Sequence, residues 1–203
     1  MAFLTEYQVK EIKDKLINDK STLGKLYRAK KDSYQTISID HNLVADYISE
    51  GWESYGKPLK TKTRLRKLKK HSKKFEDDIW CQFYNLGFRC LNFDENFVLP
   101  FSKDPKDTKQ IDVIAIKNDT IFLIECKSSE NPAPARLLKD EFELLRLRLD
   151  GFRKALWQIF GRDKKVKYIF ATRNLRIKPD SIHIQRLNEA KAIYFNNNTY
   201  EYV

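Results

Sequence analysis

The chain has 203 residues, 39 Lys and Arg against 28 Asp and Glu, a net charge of +11 and 41% hydrophobic residues. That length and apolar share suit one domain with its own core and exclude a disordered polyelectrolyte. Cys81, Cys90 and Cys126 are widely spaced without a CxxC pair, which argues against a disulfide or zinc framework and fits a reducing cytoplasm; no stretch approaches the roughly 20 apolar residues of a membrane span, so no membrane partner is expected.

Residues 3–20 read as a peripheral helix in which Phe3, Tyr7, Ile12, Leu16 and Ile17 are loosely periodic. Residues 33–39 read as a short strand or loop, and residues 43–55 carry Leu43, Val44, Tyr47, Ile48 and Trp52 at helical spacing, with Gly51 as a weak point. A basic stretch follows: from Tyr55 to Lys74 there are ten Lys or Arg residues and no acid. Such a run is either a phosphate-contacting stripe, with Lys60, Lys62, Arg64, Arg66, Lys67, Lys69, Lys70, Lys73 and Lys74 as its contacts, or a solvated linker. Trp52 and Tyr55 beside it could stack on bases.

Residues 72–86 are expected to form a helix, with Phe75, Ile79, Phe83 and Leu86 as its apolar stripe, Glu76 at the stripe's edge and Gly87 as its stop. Residues 88–92 and 96–100 are short strand candidates. Then come two apolar runs, Gln110-Ile-Asp112-Val-Ile-Ala-Ile116 and Ile121-Phe-Leu-Ile-Glu125-Cys-Lys127, joined by Lys117-Asn-Asp-Thr120. The joint reads as a hairpin turn. Antiparallel counting from Ile116 opposite Ile121 sets Asp112 directly opposite Glu125, where cross-strand Cβ atoms lie roughly 5 Å apart. Two facing carboxylates repel unless a cation lies between them, and a hard divalent ion such as Mg²⁺ suits an oxygen-only pair. The bland alternative is a surface hairpin in which Lys127 bridges the two acids.

Beyond the hairpin, Pro132 and Pro134 are expected to break the chain, residues 137–160 to form a long helix, 166–171 a strand, and 181–191 a helix. Residues 192–195 and 199–203 read as a final strand pair, turning at Asn196-Asn-Asn198. This order predicts an α/β sandwich around a central mixed β-sheet flanked by helices, with an N-terminal helical extension. His41, His71 and His183 are scattered without a motif, and no Walker or GxGxxG loop occurs.

From about residue 74 to 195 the chain resembles the PD-(D/E)xK nuclease superfamily. The likeness is carried by Phe75-Glu76-Asp77-Asp78-Ile79-Trp80 on a helix, Gln110-Ile111-Asp112 on one strand, and Ile124-Glu125-Cys126-Lys127-Ser128 on the next. More narrowly, Gly51-Trp52, the basic run, Phe75-Glu76-Asp77 and Glu125-Cys126-Lys127 resemble the nuclease-type module that precedes a DGQHR domain in prokaryotic proteins linked to DNA modification and defence. The resemblance implies a restriction-endonuclease-like core at 75–203, after a helical region at 1–56 and a DNA-contact segment or linker at 57–74. It implies Mg²⁺, with Mn²⁺ able to substitute, bound by Asp112, Glu125 and the Cys126 carbonyl, with Glu76 assisting directly or through water. Lys127 would serve the attacking water, and DNA would be the substrate. Ile111 replaces the proline of the family's name, and Gln158 lacks a following Tyr at the spacing of the recombination-type motif. A catalytically silent nucleic-acid-binding module and an RNA-processing nuclease on the same fold are the rivals. The ending inside a predicted strand is read as a truncated domain or an edge strand; a homodimer and a downstream domain or partner protein are further expectations.

Overall fold

The computed structural model of the chain describes residues 2–93, 96–134, 138, 142 and 145–197. The first helix, α1 (Glu6–Asp14), starts at a reciprocal cap: the Thr5 hydroxyl accepts the Gln8 amide and the Gln8 side chain accepts the Thr5 amide, which satisfies two donors that helix geometry leaves open. The expected helix over 3–20 stops there. The chain turns into β1 (Leu16–Ile17) and restarts as α2 (Lys20–Lys31), because the Asp19 carboxylate caps the Thr22 amide and favours a new helix start.

A small antiparallel sheet follows, built from β2 (Tyr34–Asp40), β3 (Glu53–Ser54) and β4 (Lys62–Leu68) in the order β2-β4-β3, with a 3-10 turn (His41–Leu43) and α3 (Val44–Ser49) between β2 and β3. The helix expected over 43–55 ends early, since Gly51 takes φ +85°, a left-handed conformation that ends helices. The basic segment 57–74 is not a linker: its middle is the central strand of this sheet, and its end is the first turn of α4 (His71–Asn85).

The central sheet has six strands: β1, β5 (Cys90–Asn92), β8 (Val113–Lys117), β9 (Thr120–Pro134), β10 (Lys165–Arg176) and β11 (Ile193–Asn196), side by side in that order. Between β5 and β8 in the chain, β6 (Val98–Pro100) and β7 (Thr108–Gln110) form a separate ribbon. Pairing is antiparallel from β1 to β9 and parallel from β9 to β11, so the sheet is mixed. The long helix α5 (Leu145–Phe160) crosses from β9 to β10, and α6 (Ile182–Glu189) from β10 to β11. The predicted strand 199–203 and most of 137–144 lie outside the described residues.

Both sheet faces are covered. Ile114, Leu123 and Phe170 pack with Ile12 of α1 and Phe152 and Leu156 of α5; Val113, Ile124 and Ala171 pack with Leu23 of α2 and Phe75 and Ile79 of α4. Burying each of these large side chains contributes roughly 1.5–3 kcal/mol. The architecture is therefore α/β, a mixed sheet between helices. A Cβ on Gly151 would stand 1.9 Å from the Phe101 carbonyl oxygen, so only glycine lets the end of β6 press onto α5.

Pro132 and Pro134 do not break the chain. β8 pairs with β9 only over Thr120–Ile124, leaving the outer part of β9 bonded to β10 alone, out to Pro134 opposite Arg176. Proline is tolerated on such an open edge because no ladder bond is lost. Among the described residues no helix is long and apolar enough to cross a membrane.

Candidate active site

The hairpin register follows the apolar pattern: Ile116 faces Ile121 and Val113 faces Ile124, across a turn whose Asn118 adopts φ 55°. One step further the strand ends. Asp112 is not a strand residue; the chain bends there, and Ile111 joins the same core cluster as Ile114 rather than that of Val113. The buried side chain of Asn92 enforces the bend, accepting the Ile114 amide (3.1 Å) and donating to the Asp112 carbonyl (3.1 Å), while the Trp80 indole donates to the Asn92 carbonyl (3.0 Å). An amide that serves both a carbonyl and an N–H substitutes for a ladder step and leaves no backbone group orphaned.

Freed from the strand, the Asp112 carboxylate accepts the Cys126 amide at 2.7 Å. Glu125 is 2% exposed, and its Oε1 meets two ammonium groups, Lys127 at 2.7 Å and Lys109 at 3.1 Å. Its Oε2 is buried without a hydrogen-bond partner. Burial, then the charges of Glu125 and Glu76, push the Asp112 carboxyl up to about 7, against the lowering effects of the Cys126 amide and Lys127. Glu76 reaches the same patch from α4, its Oε2 3.9 Å from Lys73. The Cys126 thiol sits in the core beneath and is held well above its ordinary range by burial and then by Asp112, Glu76 and Glu125, so it stays protonated.

The patch thus gathers Asp112, Glu125, Lys127 and Glu76, the residues expected from the sequence. Lys109, Asn92 and Trp80 were not expected. Lys109 stood three residues before Asp112 and could be suspected only once a ribbon folding back over β9 was known; Asn92 showed as a lone polar residue at a strand end. Among the described residues no group of three or more His, Cys, Asp or Glu side chains is disposed to enclose an ion. A cation would therefore rest on two carboxylates, a backbone carbonyl and water, and the orphaned Oε2 of Glu125 with the destabilised Asp112 charge fits such an occupant.

The basic residues divide differently. Lys69 donates to the Ala29 and Lys30 carbonyls and pairs with Asp77 at 2.9 Å. Lys73 also pairs with Asp77, at 3.3 Å, and Lys74 pairs with Asp78. Arg66 pairs with Glu53 at 2.7 Å and lies over the Tyr34 ring, and Lys67 donates to the Glu50 carbonyl. Lys60, Lys62, Arg64 and Lys70 are exposed. Alternation along β4 sets Lys62, Arg64 and Arg66 on one face, with Thr63, Leu65 and Lys67 on the other. Gln158 stands apart from the carboxylates: its side chain accepts the Phe3 and Leu4 amides and donates to the Leu4 carbonyl, clasping the N-terminal segment to α5.

No family model matches the chain, and no curated protein matches it. Among solved structures it is similar to protein VC1899 from Vibrio cholerae, at 11% identity and a TM-score of 0.34, over 93% of this chain. The chain spans 48% of that protein's length.

Proposed function

We propose that the chain is a divalent-metal-dependent phosphodiesterase of the PD-(D/E)xK type, with a restriction-endonuclease-like core, that cuts DNA. The observation that carries the reading is the conjunction of Glu125 Oε2, buried and unpartnered, with an Asp112 carboxyl pushed up to about 7 by burial and neighbouring acids. Asp112 and Glu125 would hold Mg²⁺ or Mn²⁺, with the Cys126 carbonyl, and Glu76 would assist through water. When bound, such an ion polarises the scissile phosphate and stabilises the leaving oxygen.

The chain's own groups supply the rest. The Cys126 amide fixes one Asp112 oxygen, and Lys109 and Lys127 fix Glu125 through Oε1, so its other oxygen is presented to the patch. Lys127, whose ammonium pairs with Glu125 and is less buried than that carboxylate, would orient an attacking water. The exposed Lys60, Lys62, Arg64 and Lys70 would hold the DNA backbone. Asp112→Ala and Lys127→Ala should each abolish Mg²⁺-dependent cleavage of mixed DNA substrates while DNA binding persists; cleavage retained by both variants would overturn the reading.

One observation favours the second reading, a catalytically silent nucleic-acid-binding module: the lack, among the described residues, of a three-ligand group. Titrating Mg²⁺ and Mn²⁺ against DNA and RNA separates the two. Binding without cleavage of either polymer favours the silent module, and preferential cleavage of RNA moves the substrate class without moving the site.

A further inference from the structure

Away from the carboxylate patch, a cleft of about 980 Å³ opens between the N-terminal segment, the β6–β7 turn and α5. Its walls carry three aromatic side chains, Phe3, Phe101 and Trp157, and three cations, Lys103, Lys154 and Arg162, with no acidic residue among the lining groups. The cations come from three places: the ribbon turn, the helix, and the loop just beyond it. Among the described residues the side chain of none of the three joins an ion pair or a hydrogen bond. That sets them apart from Lys30, Lys69 and Lys73, which share one carboxylate. The acids of the ribbon turn are tied within it, Asp107 accepting the Ser102 hydroxyl at 2.7 Å and Asp104 accepting the Lys106 amide at 2.9 Å.

The residues of the aromatic wall are anchored within the fold. Trp157 Nε1 donates to the Lys164 carbonyl at 2.9 Å, the Phe101 backbone is seated against Gly151, and the Phe3 amide is held by Gln158 at 2.7 Å. A preorganised apolar wall flanked by unpaired cations suits a ligand with a flat, uncharged part and a multiply charged anionic part. We propose that this cleft binds a nucleotide, its base against the aromatic wall and its phosphates on Lys103, Lys154 and Arg162. The ligand is either a free nucleotide or the unpaired terminal nucleotide of a strand, and the site stands whether or not Asp112 and Glu125 support cleavage.

The test is calorimetric titration of the whole chain in EDTA, where no metal-dependent reaction runs, with ADP, adenosine, pyrophosphate and a 5′-phosphorylated ten-residue oligothymidylate. ADP should saturate one site and bind at least tenfold more tightly than adenosine or pyrophosphate. Lys154→Ala combined with Arg162→Ala should weaken ADP at least tenfold with an unchanged thermal midpoint, and Lys103→Ala should do so by a smaller factor. An oligonucleotide that displaces ADP and outbinds it, with affinity lost in the Lys154→Ala, Arg162→Ala variant, identifies a strand terminus as the ligand; ADP outbinding the oligonucleotide identifies a free nucleotide. No saturable ADP binding, pyrophosphate or adenosine binding as tightly as ADP, or a folded double variant with unchanged affinity would each overturn the proposal.

Discussion

Glu76 and Asp77 are neighbours on α4, yet they serve two acidic centres with opposite electrostatics. Asp77 is 2% exposed and meets Lys30 at 2.9 Å, Lys69 at 2.9 Å and Lys73 at 3.3 Å. Burial opposes its ionisation, but the charge and hydrogen bond of Lys30, the hydrogen bond of Lys69 and the charge of Lys73 outweigh it and hold the carboxyl below its ordinary range. Glu76, the residue before it, instead adds to the repulsion that lifts Asp112 to about 7. A buried acid surrounded by cations joins helix to sheet. The acids beside Asp112 repel one another, and one oxygen of Glu125 is left without a hydrogen-bond partner.

The largest break in that comparison should come from Asp77→Ala. It strips the shared partner from three ammonium groups, two of them nearly buried, and removing one side of a buried pair costs about 3–5 kcal/mol. Urea denaturation at pH 7 should show that loss. The wild-type chain should hold the contribution of Asp77 above about pH 4 and lose it as pH falls through the lowered folded-state value, a dependence the variant should lack. A variant of wild-type stability would mean the three lysines do not depend on Asp77.

Asp112→Asn should act in the opposite direction. Because the folded-state carboxyl is raised to about 7, the folded protein binds more protons than the unfolded chain between about pH 4 and pH 7, so stability falls as pH rises across that window. The asparagine keeps an acceptor for the Cys126 amide and drops the charge, so the variant should be more stable at pH 8 by up to about 4 kcal/mol. The gap should close toward pH 4. Mn²⁺ should raise the wild-type melting temperature and leave the variant's unchanged; equal shifts would move the cation away from Asp112. Lys109→Met should cost less, about 1–2 kcal/mol, since Glu125 keeps Lys127. Lys109→Arg should recover most of that in the same urea measurement.

The hairpin was legible because its signals are local: two apolar runs, a two-residue turn and side-chain alternation fixed the pairing from Val113 to Lys117. Sequence could not show that Asp112 leaves the strand, because the cause is Asn92, twenty residues earlier and brought alongside by the sheet. Lys109 was hidden for the same reason: its salt bridge with Glu125 exists only when the β6–β7 ribbon folds over β9. The N-terminal region misled more. Charge density in 57–74 masked the alternation that makes Lys62–Leu68 a strand, and the apolar stripe of Leu23, Leu26 and Tyr27 passed unread beside so many lysines. Composition said how much positive charge there was; only packing said which part of it is already neutralised.

That partition gives the smallest predicted effect and the sharpest use of the comparison. Lys62 and Arg64 are exposed on one face of the small sheet, whereas Lys69 is 5% exposed and bonded to two carbonyls and Asp77. Every phosphate that the protein ceases to neutralise should lower the slope of log affinity against log salt by about 0.9 for duplex DNA. Lys62→Ala with Arg64→Ala should therefore flatten that slope by up to about 1.8 in fluorescence anisotropy titrations, equally for unrelated sequences, and change stability by less than about 0.5 kcal/mol. Lys69→Met should do the reverse, lowering the urea midpoint while leaving the salt slope unchanged, because an ammonium group already bound by three internal acceptors releases no DNA counterion. A flattened slope in Lys69→Met would show that the basic run acts as one stripe and that the partition by internal pairing is wrong.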